Sequence, residues 1–170
     1  MSDFVTVADL LETRALDDLK YLEKHWQKRR DLSVQEEIAF TGVAFGIHWD
    51  RAPETHPGWI GVLSWGTSSK RFLRMREDFK EMGAVPAVKA WDAARKTANR
   101  SDAMIEVALK LNGIIGENPK MREKFVALND ETPNLGAEVR NAAWEYIAKN
   151  TESFRPLPAP KKGLFGRLFG

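Results

Sequence analysis

Apolar positions recur at intervals of three and four along most of the chain, the spacing that lines one face of an α-helix. Between Thr6 and Arg30 the apolar set is Leu10, Leu11, Leu16, Leu19, Leu22 and Trp26, with a break near Thr13 and charged residues on the far side. Ser33-Val-Gln-Glu36 reads as a capping box, a Ser hydroxyl and a Glu carboxylate each closing on the other's backbone N–H. It opens a segment holding Ile38, Phe40, Val43, Ala44 and Ile47. So little polar surface interrupts this segment that it belongs at the centre of the core. Trp49 to Pro57 reads as a loop, because Asp50, Pro53, Thr55 and Pro57 are turn formers. Phe72, Met75, Phe79 and Met82 then mark a further helix, and Gly83 stands where a left-handed C-cap residue belongs.

Pro86 suits the first turn of the next helix, whose buried face is Val88, Trp91 and Ala94. Ser101 is the expected N-cap of a helix carrying Met104, Ile105, Ala108, Leu109 and Leu111, loosened at its end by Gly113, Gly116 and Pro119. Thr132 and Pro133 read as cap and first position of the last long helix, with Leu135, Val139, Ala142, Ala143, Tyr146 and Ile147 as its apolar stripe. No strand alternation of useful length competes. The expectation is an all-α, compact single-domain bundle of about six helices or more over residues 1–153. Residues 154–170 are expected to form a Pro-rich linker and a basic, amphipathic tail. Prolines at 156, 158 and 160 forbid helix and favour an extended strut. Beyond them Leu164, Phe165, Leu168 and Phe169 would share one side of a short helix, with Lys161, Lys162 and Arg167 placed to meet anions.

Composition narrows the function classes. The chain has 170 residues, 43% of them hydrophobic, enough for one domain with a genuine core. Its 26 basic and 24 acidic residues nearly cancel, so total charge argues neither for a nucleic-acid binder nor for an acidic mimic of one. Without cysteine there is no disulfide framework, thiolate nucleophile or cysteine-ligated zinc. The acids within the first twenty residues are unlike a signal peptide, and no run has the length of a bilayer span; a cytoplasmic location is expected.

The segment from His56 to Gly83 is the most distinctive. Gly58, Trp59, Gly61 and Trp65 form a turn that no helical pattern explains, and Lys70, Arg71, Arg74, Arg76 and Lys80 crowd the helix after it. Stackable rings beside cations resemble a single-stranded nucleic-acid site. The competing reading is a solvated helix face on which Glu77, Asp78 and Glu81 pair with the cations. Trp59 and Trp65 are expected to be partly exposed, whereas Trp26, Trp91 and Trp144 fall on apolar helix faces. Lys28, Arg29 and Arg30 read as a helix C-terminus complementing its dipole. His48, Asp50, Glu54 and His56 combine metal-capable residue types, but at no established ligand spacing. Ser64 lacks the G-x-S-x-G setting of a nucleophile elbow, and the glycines match no phosphate-binding fingerprint.

Several short motifs resemble the bacterial DNA mimic protein 19 family of small helical proteins. They are Gly58-Trp59 for a Gly-aromatic turn, Glu81-Met-Gly83-Ala84 ending a helix, Leu128-Asn129 in a late linker, and Trp144, Tyr146, Ile147, Asn150 and Phe154 near the end. The similarity spans about residues 34–155 and implies a helical fold and a habit of binding proteins. The family's Asn-Gly-Gly-aromatic opening is His56-Pro57-Gly58-Trp59 here, its following Gln and Asn give way to Gly61 and Trp65, and the slightly basic chain lacks the acidic surface of DNA mimicry.

The expected function is therefore a non-catalytic, regulatory or protein-binding role of a bacterial or phage type. Its contacts would be Gly58, Trp59, Gly61, Trp65, Lys70, Arg71 and Arg74, and the tail residues Leu164, Phe165, Leu168 and Phe169, with no catalytic residue, metal or cofactor. The partner is expected to be another protein, with at most weak membrane contact through the tail. The alternatives are a nucleic-acid-associated protein using the Lys70–Arg76 helix and, third, a small metal-dependent hydrolase using the His48–His56 loop.

Overall fold

The computed structural model describes residues 4–50, 58–59, 69–98 and 119–159, and the fold is all-α. In chain order the described elements are β1 (Phe4–Val5), α1 (Val7–Leu11), α2 (Leu16–Trp26), α3 (Val34–Asp50), α4 (Ser69–Glu81), α5 (Val85–Ala98), α6 (Pro119–Glu131), α7 (Leu135–Lys149), a 3-10 turn (Thr151–Ser153) and β2 (Leu157–Pro158). The expected helix carrying Met104 to Leu111 lies outside the described residues.

α3 is the axis of the bundle, packed against α7, α2 and α4. Its Ala39, Val43, Ala44 and Phe45 are fully buried, and Ile38, Phe40, Ile47 and Trp49 nearly so. Gly42 and Gly46, four residues apart, share a face of this helix and let α7 approach closely. A Cβ on Gly46 would sit 2.3 Å from Cγ of Arg140 and 3.0 Å from the carbonyl oxygen of Gly136, and one on Gly42 would sit 3.0 Å from Cβ of Ala143. Arg140 crosses the contact to donate to the Gly46 carbonyl at 2.7 Å.

Local chemistry sets several helix ends where the sequence places them. α1 and α2 are separate, with Arg14 at φ 47° between them. The Ser33–Glu36 box forms as expected: Ser33 N–H donates to the carboxylate at 2.9 Å and Glu36 N–H to the Ser hydroxyl at 3.1 Å. Gly83 adopts φ +74°, and the N–H of Ala84 reaches back to the Phe79 carbonyl at 2.8 Å, closing α4 with a left-handed cap. Met75, Phe79 and Met82 are buried as predicted; the Phe72 side chain is outside the described set.

Four expectations about the elements and their bounds need correction. Trp49 and Asp50 are in α3 rather than in a loop, because Trp49 continues the buried stripe and stacks on Phe45 with centroids 5.3 Å apart. Leu128 and Asn129 are in a helix, α6, and not in a linker. Of the described α6 side chains Phe125 alone is fully buried, too sparse a stripe to show in the pattern. α7 starts at Leu135, two residues after Pro133, because Thr132 belongs to the end of α6: its hydroxyl donates to the Leu128 carbonyl at 3.0 Å and its N–H to that of Asn129 at 3.0 Å.

The fourth correction concerns the boundary at Phe154. Residues 154–158 are an integral strap on the helical body, not the start of a linker. Phe154 stacks on Trp26 with centroids 5.8 Å apart, and Leu157 is completely buried. In an extended chain with three residues per turn these two share one face, so the prolines that forbid helix also aim both apolar side chains inward. β2 pairs antiparallel with β1, Val5 opposite Leu157 and Phe4 opposite Pro158. The Tyr21 hydroxyl donates to the Pro158 carbonyl, and Arg29 donates to that of Pro156 at 2.9 Å.

Candidate interaction surface

The turn after α3 is pinned where its glycine and first tryptophan meet α6. Gly58 has φ +55°, and a Cβ there would lie 2.3 Å from Oδ1 of Asn129, so a side chain is excluded by both backbone geometry and space. The same amide oxygen accepts the Trp59 N–H at 3.1 Å. Trp59 was expected to be partly exposed and is 1% exposed. Its ring meets Phe45 and Trp49 edge-on, at centroid distances of 5.5 and 5.6 Å. An aromatic side chain beside the end of an apolar helix minimises free energy by entering the core. Gly58 and Trp59 are thus the anchor of the turn. Gly61 and Trp65 lie outside the described residues.

On α4 the cations are matched by carboxylates. Arg74 pairs with Glu37 of α3 and lies 3.7 Å from Asp78. Arg76 grips Asp92 of α5 with two N–H groups at 2.8 and 3.1 Å and Glu77 at 3.0 Å; Lys80 lies 3.7 Å from Glu77. The hydrogen bonds from Arg76 hold the Asp92 carboxyl below its usual range. Asp78 is buried, and its carboxylate accepts the fully buried Thr41 hydroxyl at 2.6 Å. The salt-bridged reading of this helix therefore describes Arg74, Arg76 and Lys80. The side chains of Lys70 and Arg71 are outside the described residues.

His48 does not join the sequence-derived metal set. Its Nε2 faces the Glu23 carboxylate of α2 at 2.9 Å, in the α2–α3 contact. α3 continues through His48 to Asp50, so the start of the expected loop set is helix. Glu54 and His56 are outside the described residues. Among the described residues no three His, Asp or Glu side chains group as metal ligands.

The densest charge cluster among the described residues was missed by sequence reasoning. Glu36 is fully buried and holds Arg29 at 2.8 Å and Arg155 at 2.5 Å while it caps α3. Arg155 also reaches Asp31, Oδ2 at 2.9 Å and the carbonyl at 2.6 Å. Burial would raise the Glu36 pKa, but the hydrogen bonds from Arg155 and the Ser33 N–H, with the charges of Arg155 and Arg29, lower it on balance. Arg29, expected to complement a helix dipole, instead joins the strap to α3. The capping box was the one local sign of this cluster. Arg155 is 119 residues away in sequence, beyond any local pattern.

Phe165 and the rest of the 161–170 set lie outside the described residues. Among the described residues no helix is long and apolar enough to cross a membrane. No family model, curated protein or solved structure matches the chain.

Proposed function

We propose that the protein is a non-catalytic interaction protein that binds a protein partner through the turn between α3 and α4 and the start of α4. The observation that supports this reading most is the anchoring of Gly58 and Trp59 on Asn129, Phe45 and Trp49. Gly58 and Trp59 start the turn from a fixed point, and fixing part of a binding segment in advance reduces the ordering entropy lost on binding. Since Gly58 and Trp59 are occupied by the core, the contacts fall to Gly61, Trp65, Lys70 and Arg71. Tryptophan and arginine are the residue types that most often dominate protein interfaces.

The pairing of Arg74, Arg76 and Lys80 with carboxylates leaves α4 a mixed-charge surface, more suited to a protein than to a phosphate backbone. The test is affinity capture with the tagged full chain, followed by cross-linking of the purified complex. Trp65→Ala and the Lys70→Ala/Arg71→Ala pair should each lose the same captured protein while melting at the wild-type temperature, with cross-links falling within the turn. Equal capture by all variants would refute the reading. Salt-sensitive binding of a single-stranded oligonucleotide that depends on Lys70 and Arg71 would replace it with the nucleic-acid alternative.

A further inference from the structure

The strap at residues 154–158 is held much as a separate peptide would be, and independently of the α3–α4 turn. Apart from the bond from the Phe154 N–H to the Thr151 carbonyl, its hydrogen bonds, ion pairs, ladder and ring contact among the described residues all go to residues 4–36. Phe154 covers Trp26, Arg155 reaches Glu36 and Asp31, and the carbonyls of Pro156 and Pro158 accept from Arg29 and the Tyr21 hydroxyl. Apolar anchors, one matched charge and donors aimed at an extended proline-rich backbone are the means by which proteins bind such peptides. α7 hands the strap over through Thr151–Ser153, a single 3-10 turn with no buried residue.

We propose that the groove beneath the strap also takes the strap of a second copy, so that two chains exchange residues 154–158 reciprocally and form a closed dimer. The chemistry of the groove selects this occupant. An open groove would uncover Trp26, which is 1% exposed, and would take one of two guanidiniums from the fully buried Glu36 carboxylate. A replacement must bring an aromatic ring, a guanidinium at the next residue and an apolar side chain two residues further on, all on an extended chain. Phe154, Arg155 and Leu157 of another copy meet each requirement. Straightening the hinge gives up two backbone hydrogen bonds, Ser153 to Asn150 and Phe154 to Thr151, and no buried side chain. A two-fold pair then uses both straps and both grooves and leaves neither for a third chain. Since the strap contacts are the same in both forms, chain concentration competes with the local concentration the hinge imposes, on the order of a millimolar.

The chain has no cysteine, so an introduced disulfide reports on exchange without interference. Phe4 stands directly opposite Pro158 in the ladder, a separation that a disulfide spans. Full-length Phe4→Cys and Pro158→Cys chains are mixed at concentrations up to about a millimolar, oxidised, and separated on a non-reducing gel. Dimers joining position 4 of one chain to position 158 of the other should outnumber like-with-like dimers by on the order of tenfold, because the exchanged ladder holds those two thiols at bonding distance. In light scattering the wild type should gain dimer as concentration rises. The Phe4→Cys/Pro158→Cys chain, oxidised while dilute so that its own strap is locked, should stay monomeric. Arg155→Glu, which sets like charges against each other in the groove, should lose the wild-type dimer and serves as the second variant if a thiol unseats the strap. The proposal is overturned by a wild type that is monomeric throughout, by disulfides in the proportions of random pairing, or by a locked or Arg155→Glu chain that dimerises like wild type. None of these outcomes depends on Trp65, Lys70 or Arg71.

Discussion

Replacing Arg155 with Met tests whether the strap is held by the buried Glu36 carboxylate. The substitution keeps the apolar stem and removes a guanidinium that contacts both Glu36 oxygens, Oε2 at 2.5 Å through Nη2 and Oε1 at 3.2 Å through Nε, and Asp31. Removing one member of a buried ion pair costs about 3–5 kcal/mol when the remaining charge is stranded. Glu36 would keep Arg29 and the Ser33 N–H, and the Arg155 side chain is 43% exposed. The expected loss is accordingly smaller, about 2 kcal/mol, or about 4–8 °C in melting temperature for a chain of this size. Urea unfolding of wild type, Arg155→Met, Glu36→Gln and the double variant gives the coupling directly, expected to be about 1–2 kcal/mol. The folded Glu36 carboxyl sits below its usual range, so its contribution is present above that range and lost as pH falls through the folded value. The gap between wild type and Arg155→Met should close correspondingly in acid. Single variants within about 0.5 kcal/mol of wild type and no coupling would refute the reasoning, because the charges would then be no better placed than a surface pair.

Gly46→Ala should destabilise by about 1–3 kcal/mol in calorimetry, since the Gly136 carbonyl is backbone and cannot swing away as Arg140 can. Gly58→Ala and Gly83→Ala separate strain from space. Both positions have positive φ, but a Cβ on Gly83 meets nothing within 4 Å, so Gly83→Ala should cost about 1 kcal/mol and Gly58→Ala distinctly more. Trp59→Ala should lower stability by about 3–5 kcal/mol in urea unfolding, the cost of emptying a buried aromatic site. A Trp59→Ala protein of wild-type stability would mean that the ring is not part of the core.

The short motifs around Gly58, Gly83, Asn129 and the end of α7 map in this fold onto architecture. Gly58 and Trp59 anchor the turn, Gly83 caps α4, and Trp144, Ile147 and Phe154 are core. Asn150 donates to the Tyr146 carbonyl at 2.8 Å, tying down the end of α7. Asn129, part of the same set, is the acceptor on which the turn rests. Those residues bear on shape, and the contacts proposed for a partner lie at other positions.

Where chemistry acts over three or four residues, it was readable from the chain. The break after α1, the box at Ser33–Glu36, the left-handed cap at Gly83 and the buried faces of α3, α4 and α7 follow from backbone donors needing acceptors and apolar stripes needing cover. α6 escaped because Phe125, alone fully buried among its described side chains, makes no period, and the close approach of α7 escaped because Gly42 and Gly46 acquire meaning only when a second helix lies on them. Burial of Trp59 was likewise undecided by its neighbours in sequence: a tryptophan in a turn can face water or core, and here Phe45, Trp49 and Asn129 settle it. Periodicity and local capping chemistry were enough for a helical chain, its principal caps and the faces that must be hidden. Tertiary structure alone decided that Glu36 gathers Arg29 and Arg155, that a proline-rich strap closes the body, and that the turn's first tryptophan is an anchor. The physical reason is range: caps and stripes are satisfied within a turn or two, while a buried charge or ring is satisfied by whatever the fold brings beside it.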